Sequence, residues 1–268
     1  MKWKALLLFA IAAAFSSCQW KLKPNSAEEE LQSVFVQRYD RIESLYLTTG
    51  DFSALQQMET DYPMETRTLI ENVLKLGAVD DHEINKKFLA FFQNNTLQTI
   101  IGDAEAQYAN MDDINLQLNQ AFKKLRQYVP DMPIPAIYAQ ITALDQSIII
   151  GDGTVGISLD KYLGEDYEIY NRYYNSQQRS SMNRQNIVPD CLCFYLISLY
   201  PMSNFENRNQ EERDLYMGKM MWVVNFALDK TFFKGNYVSK IEAYMHKYPN
   251  TTVKQLLETN EYSRDFFK

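Results

Sequence analysis

Two histidines and three cysteines are the residues of this chain best suited to metal binding or nucleophilic catalysis. His82 and His246 lie far apart in the sequence, and neither belongs to the His-Glu-x-x-His pattern that holds a peptidase zinc ion. No Gly-x-Ser-x-Gly elbow is present for a serine nucleophile. These residues therefore predict no histidine-, cysteine- or serine-based catalytic residue, no metal site of the zinc type and no cofactor.

Cys191 and Cys193 form a Cys-x-Cys pair inside a strongly apolar run. Side chains two positions apart on a helix diverge by about 200°, so both thiols cannot face one ion and a disulfide would be strained. We expect two buried structural thiols.

Carboxylates and tyrosines are concentrated in segment 152–174. They are Asp152, Asp160, Glu165 and Asp166, together with Tyr162, Tyr167, Tyr170, Tyr173 and Tyr174. The carboxylates could be solvated loop and cap residues, could surround a calcium ion, or could hydrolyse a glycoside. The tyrosines could pack against a sheet or bind a sugar or a protein. One hypothesis is therefore an envelope protein that binds or hydrolyses a glycan or peptide through this segment.

The run from Gly151 to Gly156 is a literal Gly-x-Gly-x-x-Gly. A dinucleotide-binding loop requires a helix directly after it, but the residues that follow alternate between apolar and polar like a strand. We predict a hairpin turn here instead.

The elements around these residues are mostly helical. The apolar spacing predicts helices across 52–77, 82–101, 112–129, 186–200 and 211–226, with shorter ones at 40–49, 237–244 and 253–257. Strand-like segments occur at 34–36, 134–141, 146–150 and 155–159. The prediction is an α+β fold: one helix-rich domain over 28–268 with a small sheet of three to five strands.

The N-terminal residues have the pattern of an export signal. Lys2 and Lys4 precede eleven apolar residues, too few to span a bilayer, and Ser16 and Ser17 come directly before Cys18. This arrangement resembles a bacterial lipoprotein signal. It predicts a signal peptide over 1–17, then lipidation of Cys18 by chains such as palmitate, and a tether over 18–27. A plain secretory signal is the alternative.

The charge balance limits the partners. The chain has 268 residues and a net charge of −7, with its lysines and arginines scattered singly. No basic patch indicates nucleic-acid binding. An acidic surface is not attracted to anionic lipid headgroups, so membrane attachment would depend on the lipid anchor at Cys18.

A specific resemblance is carried by the segment 155–166, Val-Gly-Ile-Ser-Leu-Asp-Lys-Tyr-Leu-Gly-Glu-Asp. It resembles the central motif of the GldB family, gliding-motility-associated lipoproteins of the Bacteroidetes. Shorter likenesses lie at 34–40, 133–141, 187–190 and 218–219. The resemblance picks out Asp160, Tyr162, Gly164 and Asp166 as motif residues with a possible interaction role.

The resemblance implies a cell-envelope lipoprotein without catalytic residues, acting through envelope protein partners. Its expected location is the outer membrane, facing the periplasm. The family also looks like a distant relative of zincin-type peptidases, whose zinc helix would fall at 189–200. No histidine or glutamate stands there in this chain, so the resemblance implies a zincin-like scaffold without its chemistry.

Overall fold

A small mixed sheet lies at the centre of the fold in the computed structural model, which describes residues 33–262. Its strands are β1 Val36–Gln37, β2 Ala136–Gln140, β3 Ile148–Ile150 and β4 Thr154–Ser158. The order across the sheet is β1-β2-β4-β3, with β1, β2 and β4 parallel and β3 antiparallel to β4. The predicted signal peptide, the lipidated Cys18 and the tether lie outside the described residues.

Helices make up most of the remaining described chain. They are α1 Tyr39–Thr49, α2 Phe52–Asp61, α3 Pro63–Arg67, α4 Ile84–Phe92, α5 Asn95–Gln107, α6 Asp112–Tyr128, α7 Ser176–Arg179, α8 Ile187–Leu199, α9 Gln210–Ala227, α10 Asn236–Lys247 and α11 Val253–Glu258. A π-helical turn, Thr68–Val73, continues α3. The described residues belong to one compact unit. The predicted helix-rich α+β domain with three to five strands is confirmed.

The turn between β3 and β4 is the hairpin predicted from the glycine pattern. Ile150 pairs with Val155 and Ile148 with Ile157 across the two antiparallel strands. Gly153 has a φ of +68°, a left-handed conformation that favours glycine. No helix follows the glycines at once, so the phosphate-binding geometry of a dinucleotide loop is not formed.

Helix α6 shows why the apolar spacing predicted its position so closely. Ile114, Leu118, Phe122 and Leu125 recur at intervals of three and four and are all buried. Such a stripe drives a helix onto a core because each turn removes more apolar surface from water.

Helix α6 also closes the outer edge of β1. The backbone N–H groups of Val34 and Val36 donate to the side-chain oxygens of Asn119 and Asn115, at 2.7 and 2.8 Å. The Asn119 amide also donates to the Val34 carbonyl. Residues four apart on a helix lie on one face, so two asparagines bond the edge strand as a neighbouring strand would.

Candidate functional site

The motif segment, residues 155–166, comprises β4 and the turn that follows it, with Asp160 at the turn. The Asp160 side chain is fully buried. Its Oδ1 accepts from the Thr142 N–H at 3.0 Å, and its Oδ2 accepts from the Leu144 N–H at 2.6 Å. Ala143 and Leu144 both have positive φ, so the carboxylate stabilises a strained turn at the end of β2. Burial raises the pKa of Asp160, while the backbone hydrogen bonds oppose that shift.

Tyrosine hydroxyls bind the backbone of the same segment. The Tyr170 hydroxyl donates to the Asp160 carbonyl at 2.5 Å and accepts from the Leu163 N–H at 2.9 Å. The Tyr108 hydroxyl donates to the Tyr162 carbonyl at 2.5 Å. Both rings are fully buried, so the motif backbone is held from two directions inside the core.

The Tyr162 side chain links the motif segment to α8. It is buried, and its hydroxyl donates to Oδ2 of Asp190 at 2.9 Å. Burial raises the pKa of the Asp190 carboxyl to about 6, and the bond from Tyr162 partly opposes this shift. The partner of Tyr162 thus comes from the helix at which the resemblance places the zincin zinc ligands.

Gly164 and Asp166 complete the set of motif residues. Gly164 has a φ of +121°, which disfavours any side chain, and its N–H donates to the Met182 carbonyl at 2.9 Å. Asp166 is exposed. The four residues therefore do not converge on one accessible point, because Asp160 and Tyr162 face the interior and Asp166 faces solvent.

Most side chains of the tyrosine-rich segment are bonded within the fold rather than presented to a glycan or peptide. Tyr170 is buried, while the hydroxyls of Tyr167 and Tyr174 donate to Asp103 and to the Leu144 carbonyl. Tyr173 is exposed. Most of these aromatic groups are bonded into the fold, as the packing alternative predicted.

Glu43 on α1 is a buried acid that belongs to none of the motifs recognised in the sequence. Its Oε2 accepts from the Ile141 N–H at 2.9 Å, and its Oε1 has no partner among the described residues. Gln140 and Ser158 pair across β2 and β4 and also carry buried polar atoms without partners. Burial raises the pKa of Glu43 well above its ordinary value, and the carboxylates of Asp160 and Asp40 add to the shift.

The spacing of residues in α1 already indicates that Glu43 is buried. Tyr39, Glu43 and Leu47 stand four residues apart and share one buried face. A carboxylate inside an apolar stripe indicates a buried polar group, because exposed glutamates normally occupy the opposite face.

A buried lysine anchors the C-terminal part of the chain. Lys219 on α9 is 1% exposed, and its Nζ donates to the carbonyls of Leu257 and Thr259 at 3.0 and 2.9 Å. A third bond, at 2.7 Å, reaches the hydroxyl of Tyr262. Burial lowers the pKa of Lys219 to about 7. The lysine thereby fixes the end of α11 to the domain.

The described cysteines are buried, whereas the two histidines face solvent. Cys191 and Cys193 are buried free thiols, as predicted, and burial raises the pKa of each to about 12. His82 and His246 are exposed. Within residues 33–262, no three side chains of His, Cys, Asp or Glu are grouped so that they could hold a metal ion.

The comparisons with known proteins identify the family. No curated protein and no solved structure matches the chain. In the described part of the chain, no helix has both the length and the hydrophobicity to cross a bilayer. The family model described as gliding motility protein GldB matches residues 19–233, most of the chain. The zincin-like relationship stays a prediction. The chain belongs to the GldB family of gliding-motility-associated lipoproteins.

Proposed function

We propose that this protein is a non-catalytic lipoprotein, anchored through acyl chains on Cys18 in the outer membrane and facing the periplasm. It acts by binding other envelope proteins. The family match and the lipoprotein-like sequence before Cys18 support the anchor. Two or more buried acyl chains give stable attachment where a single chain would not.

One observation carries the non-catalytic part of the proposal. The buried polar groups of the motif segment form hydrogen bonds within the fold. The Asp160 carboxylate accepts from two backbone N–H groups, and the Tyr162 hydroxyl donates to Asp190. A catalytic acid or base must reach a substrate atom within hydrogen-bonding distance. Side chains that are hydrogen-bonded inside the core stabilise the fold. On this proposal, the surface of the folded domain is what binds partner proteins.

The anchor is tested by membrane fractionation of cells producing Cys18→Ala. The variant should leave the membrane fraction, whereas Gln19→Ala, the adjacent control with the cysteine intact, should stay there. Sedimentation of Cys18→Ala with membranes would show that lipidation is not what holds the protein.

The non-catalytic role is tested by comparing Asp160→Asn with Asp166→Asn. Asp160→Asn should lower the free energy of unfolding. If the variant loses function in cells, that function should return when expression at lower temperature yields folded protein. Asp166→Asn should leave stability unchanged, because Asp166 is exposed. A loss of function in folded, stable Asp160→Asn protein would indicate a chemical role for the carboxylate.

Partner binding is tested by cross-linking the tagged full-length protein in its own cells and identifying what is captured. An envelope protein that is captured by wild type but not by an equally abundant anchored control lipoprotein supports the proposal. Capture of nothing beyond the control would contradict it.

A further inference from the structure

Three fully buried polar side chains between α1 and the sheet carry atoms that have no hydrogen-bond partner among residues 33–262. These atoms are Oε1 of Glu43, Oε1 and Nε2 of Gln140, and Oγ of Ser158. A buried polar atom without a partner costs free energy, so native cores pair such atoms with other protein groups or with bound water. Four of them on three side chains therefore indicate a ligand at this place.

The strand register places two of these side chains next to each other. Gln140 on β2 is paired with Ser158 on β4, and paired residues of neighbouring strands direct their side chains to the same face of a sheet. Tyr138, paired with Gly156, precedes them by two residues and shares that face. The Tyr138 hydroxyl likewise forms no hydrogen bond within the part of the chain that the structure describes.

Helix α1 covers the same face and brings Glu43 to it. The rings of Tyr39 and Tyr138 meet edge to face, with centroids 6.2 Å apart. Glu43 is one helical turn beyond Tyr39, about 6 Å along the helix, and Gln140 is about 6–7 Å beyond Tyr138 along β2. The Ile141 N–H donates to Oε2 of Glu43 at 2.9 Å and fixes the carboxyl group at that level. The unpartnered Oε1 therefore lies at the level of Gln140 in the sheet.

Gly156 leaves the space that these polar groups occupy. It lies inside β4 and does not have a positive φ, so the backbone conformation does not require a glycine here. A Cβ at this position would lie 2.7 Å from the Tyr138 hydroxyl oxygen and 3.0 Å from Nε2 of Gln140. Both groups thus lie over Gly156, where any other residue would place its side chain.

The mixture of donors and acceptors selects the class of ligand. The Gln140 amide and the Ser158 hydroxyl can donate, whereas the Oε1 atoms of Gln140 and Glu43 can accept. A hard cation is bound by oxygen atoms alone, and the amide hydrogens would repel it. Water both donates and accepts, so it pairs with every group of the set. Burial also raises the pKa of Glu43, which favours the neutral carboxyl group and removes the charge that would attract a cation.

We propose that Glu43, Gln140 and Ser158 bind at least one ordered water molecule inside the domain, between α1 and the strands β2 and β4. The water joins the helix to both strands through hydrogen bonds that the three side chains do not make with one another. Two residues of the motif segment contribute: Gly156 leaves the room, and Ser158 supplies a hydroxyl group. The site lies in the interior of the fold, so its test is independent of the anchor and the envelope partners proposed above.

Oxygen-17 relaxation dispersion of the solvent tests the proposal, because it counts the water molecules that stay in a protein for longer than its tumbling time. The protein is the mature chain with Cys18→Ala, which carries no acyl chain. Gly156→Ala should push the Tyr138 and Gln140 side chains into the site, and Gln140→Leu should remove two of its polar atoms. Each variant should hold at least one long-lived water molecule fewer than the parent chain.

Gly102→Ala and Gln57→Leu are the matched controls. Both positions are exposed, and a Cβ at Gly102 would meet nothing within 4 Å. Both controls should keep the parent count of long-lived water molecules. An unchanged count in Gly156→Ala and Gln140→Leu would overturn the proposal.

A crystal structure of the same mature chain decides the question even if both site variants fail to fold. Density for an oxygen atom should lie within about 2.5–3.2 Å of polar atoms from at least two of Glu43, Gln140 and Ser158. Direct hydrogen bonds among these side chains, with no density between them, would overturn the proposal. An anomalous peak at the site in crystals soaked with rubidium chloride would overturn it in favour of a cation.

Discussion

Two glycines in helix interiors should respond in opposite ways to the same substitution. Gly218 on α9 faces α10: an added Cβ would lie 2.7 Å from Cβ and 2.8 Å from the carbonyl carbon of Tyr237. Non-bonded carbons prefer roughly 3.5–4.0 Å, so α9 and α10 must separate by up to about 1 Å. Gly102 on α5 is exposed, and an added Cβ there would meet nothing within 4 Å.

The magnitudes follow from these distances. Alanine in place of a helical glycine stabilises by about 0.5–1 kcal/mol, which is the expected gain for Gly102→Ala. Gly218→Ala has the same gain, but overpacking against a backbone atom costs about 1–3 kcal/mol. We therefore expect Gly218→Ala to be less stable than wild type, and less stable than Gly102→Ala by about 1–3 kcal/mol.

Urea and thermal unfolding of the mature chain measure the difference. In a domain of this size each kcal/mol shifts Tm by about 2–4 °C, so the expected difference of about 1–3 kcal/mol between the two variants should be measurable. Gly218→Ala should also alter Trp222 emission, because Trp222 lies one helical turn further along α9. If Gly218→Ala proved as stable as Gly102→Ala, α9 and α10 would not approach each other so closely that an added Cβ lies 2.8 Å from the carbonyl carbon of Tyr237.

Four further predictions concern buried groups. The pKa of Glu43 is raised on folding, so its contribution to stability is present below its ordinary pKa near 4.5 and is lost as pH rises through the folded value. Glu43→Gln should therefore flatten the decline in the free energy of unfolding that begins as the pH rises above about 4.5. Lys219→Met leaves the carbonyls of Leu257 and Thr259 without their donor, so amide hydrogen exchange in α11 should accelerate while exchange in α6 stays slow. Cys191→Ala and Cys193→Ala should each lower the free energy of unfolding by about 1–3 kcal/mol as small core cavities. In the wild type both thiols should react with a thiol reagent only on unfolding, since their pKa values near 12 leave almost no thiolate at pH 8.

Local spacing was enough to predict most of the elements. The apolar stripe of α6 predicted 112–129, and the helix runs from Asp112 to Tyr128. The glycines at 151 and 153 predicted the β3–β4 hairpin. Both signals lie within a few residues of the structure they specify, so the sequence alone could show them.

The pairing of strands that lie far apart in the sequence could not be predicted from local spacing. Val36 lies beside Ile137 in parallel strands, and nothing in either short segment specifies that neighbour. The buried polar groups show the same limit, because the resemblance selected Asp160 without indicating that its partners are the N–H groups of Thr142 and Leu144. A carboxylate bonded inside the fold and one that faces a ligand look alike in a sequence.

The asparagine-closed edge of β1 has a consequence for crowding. Copies of a protein tethered to one membrane surface meet at a high effective concentration, so an open strand edge would invite sheet-to-sheet association between them. Here the backbone N–H groups of Val34 and Val36 donate to Asn119 and Asn115 of the chain's own α6. Copies held side by side by the proposed anchor at Cys18 would therefore meet no free backbone donors at Val34 and Val36, and these two groups would not start sheet-to-sheet association between them.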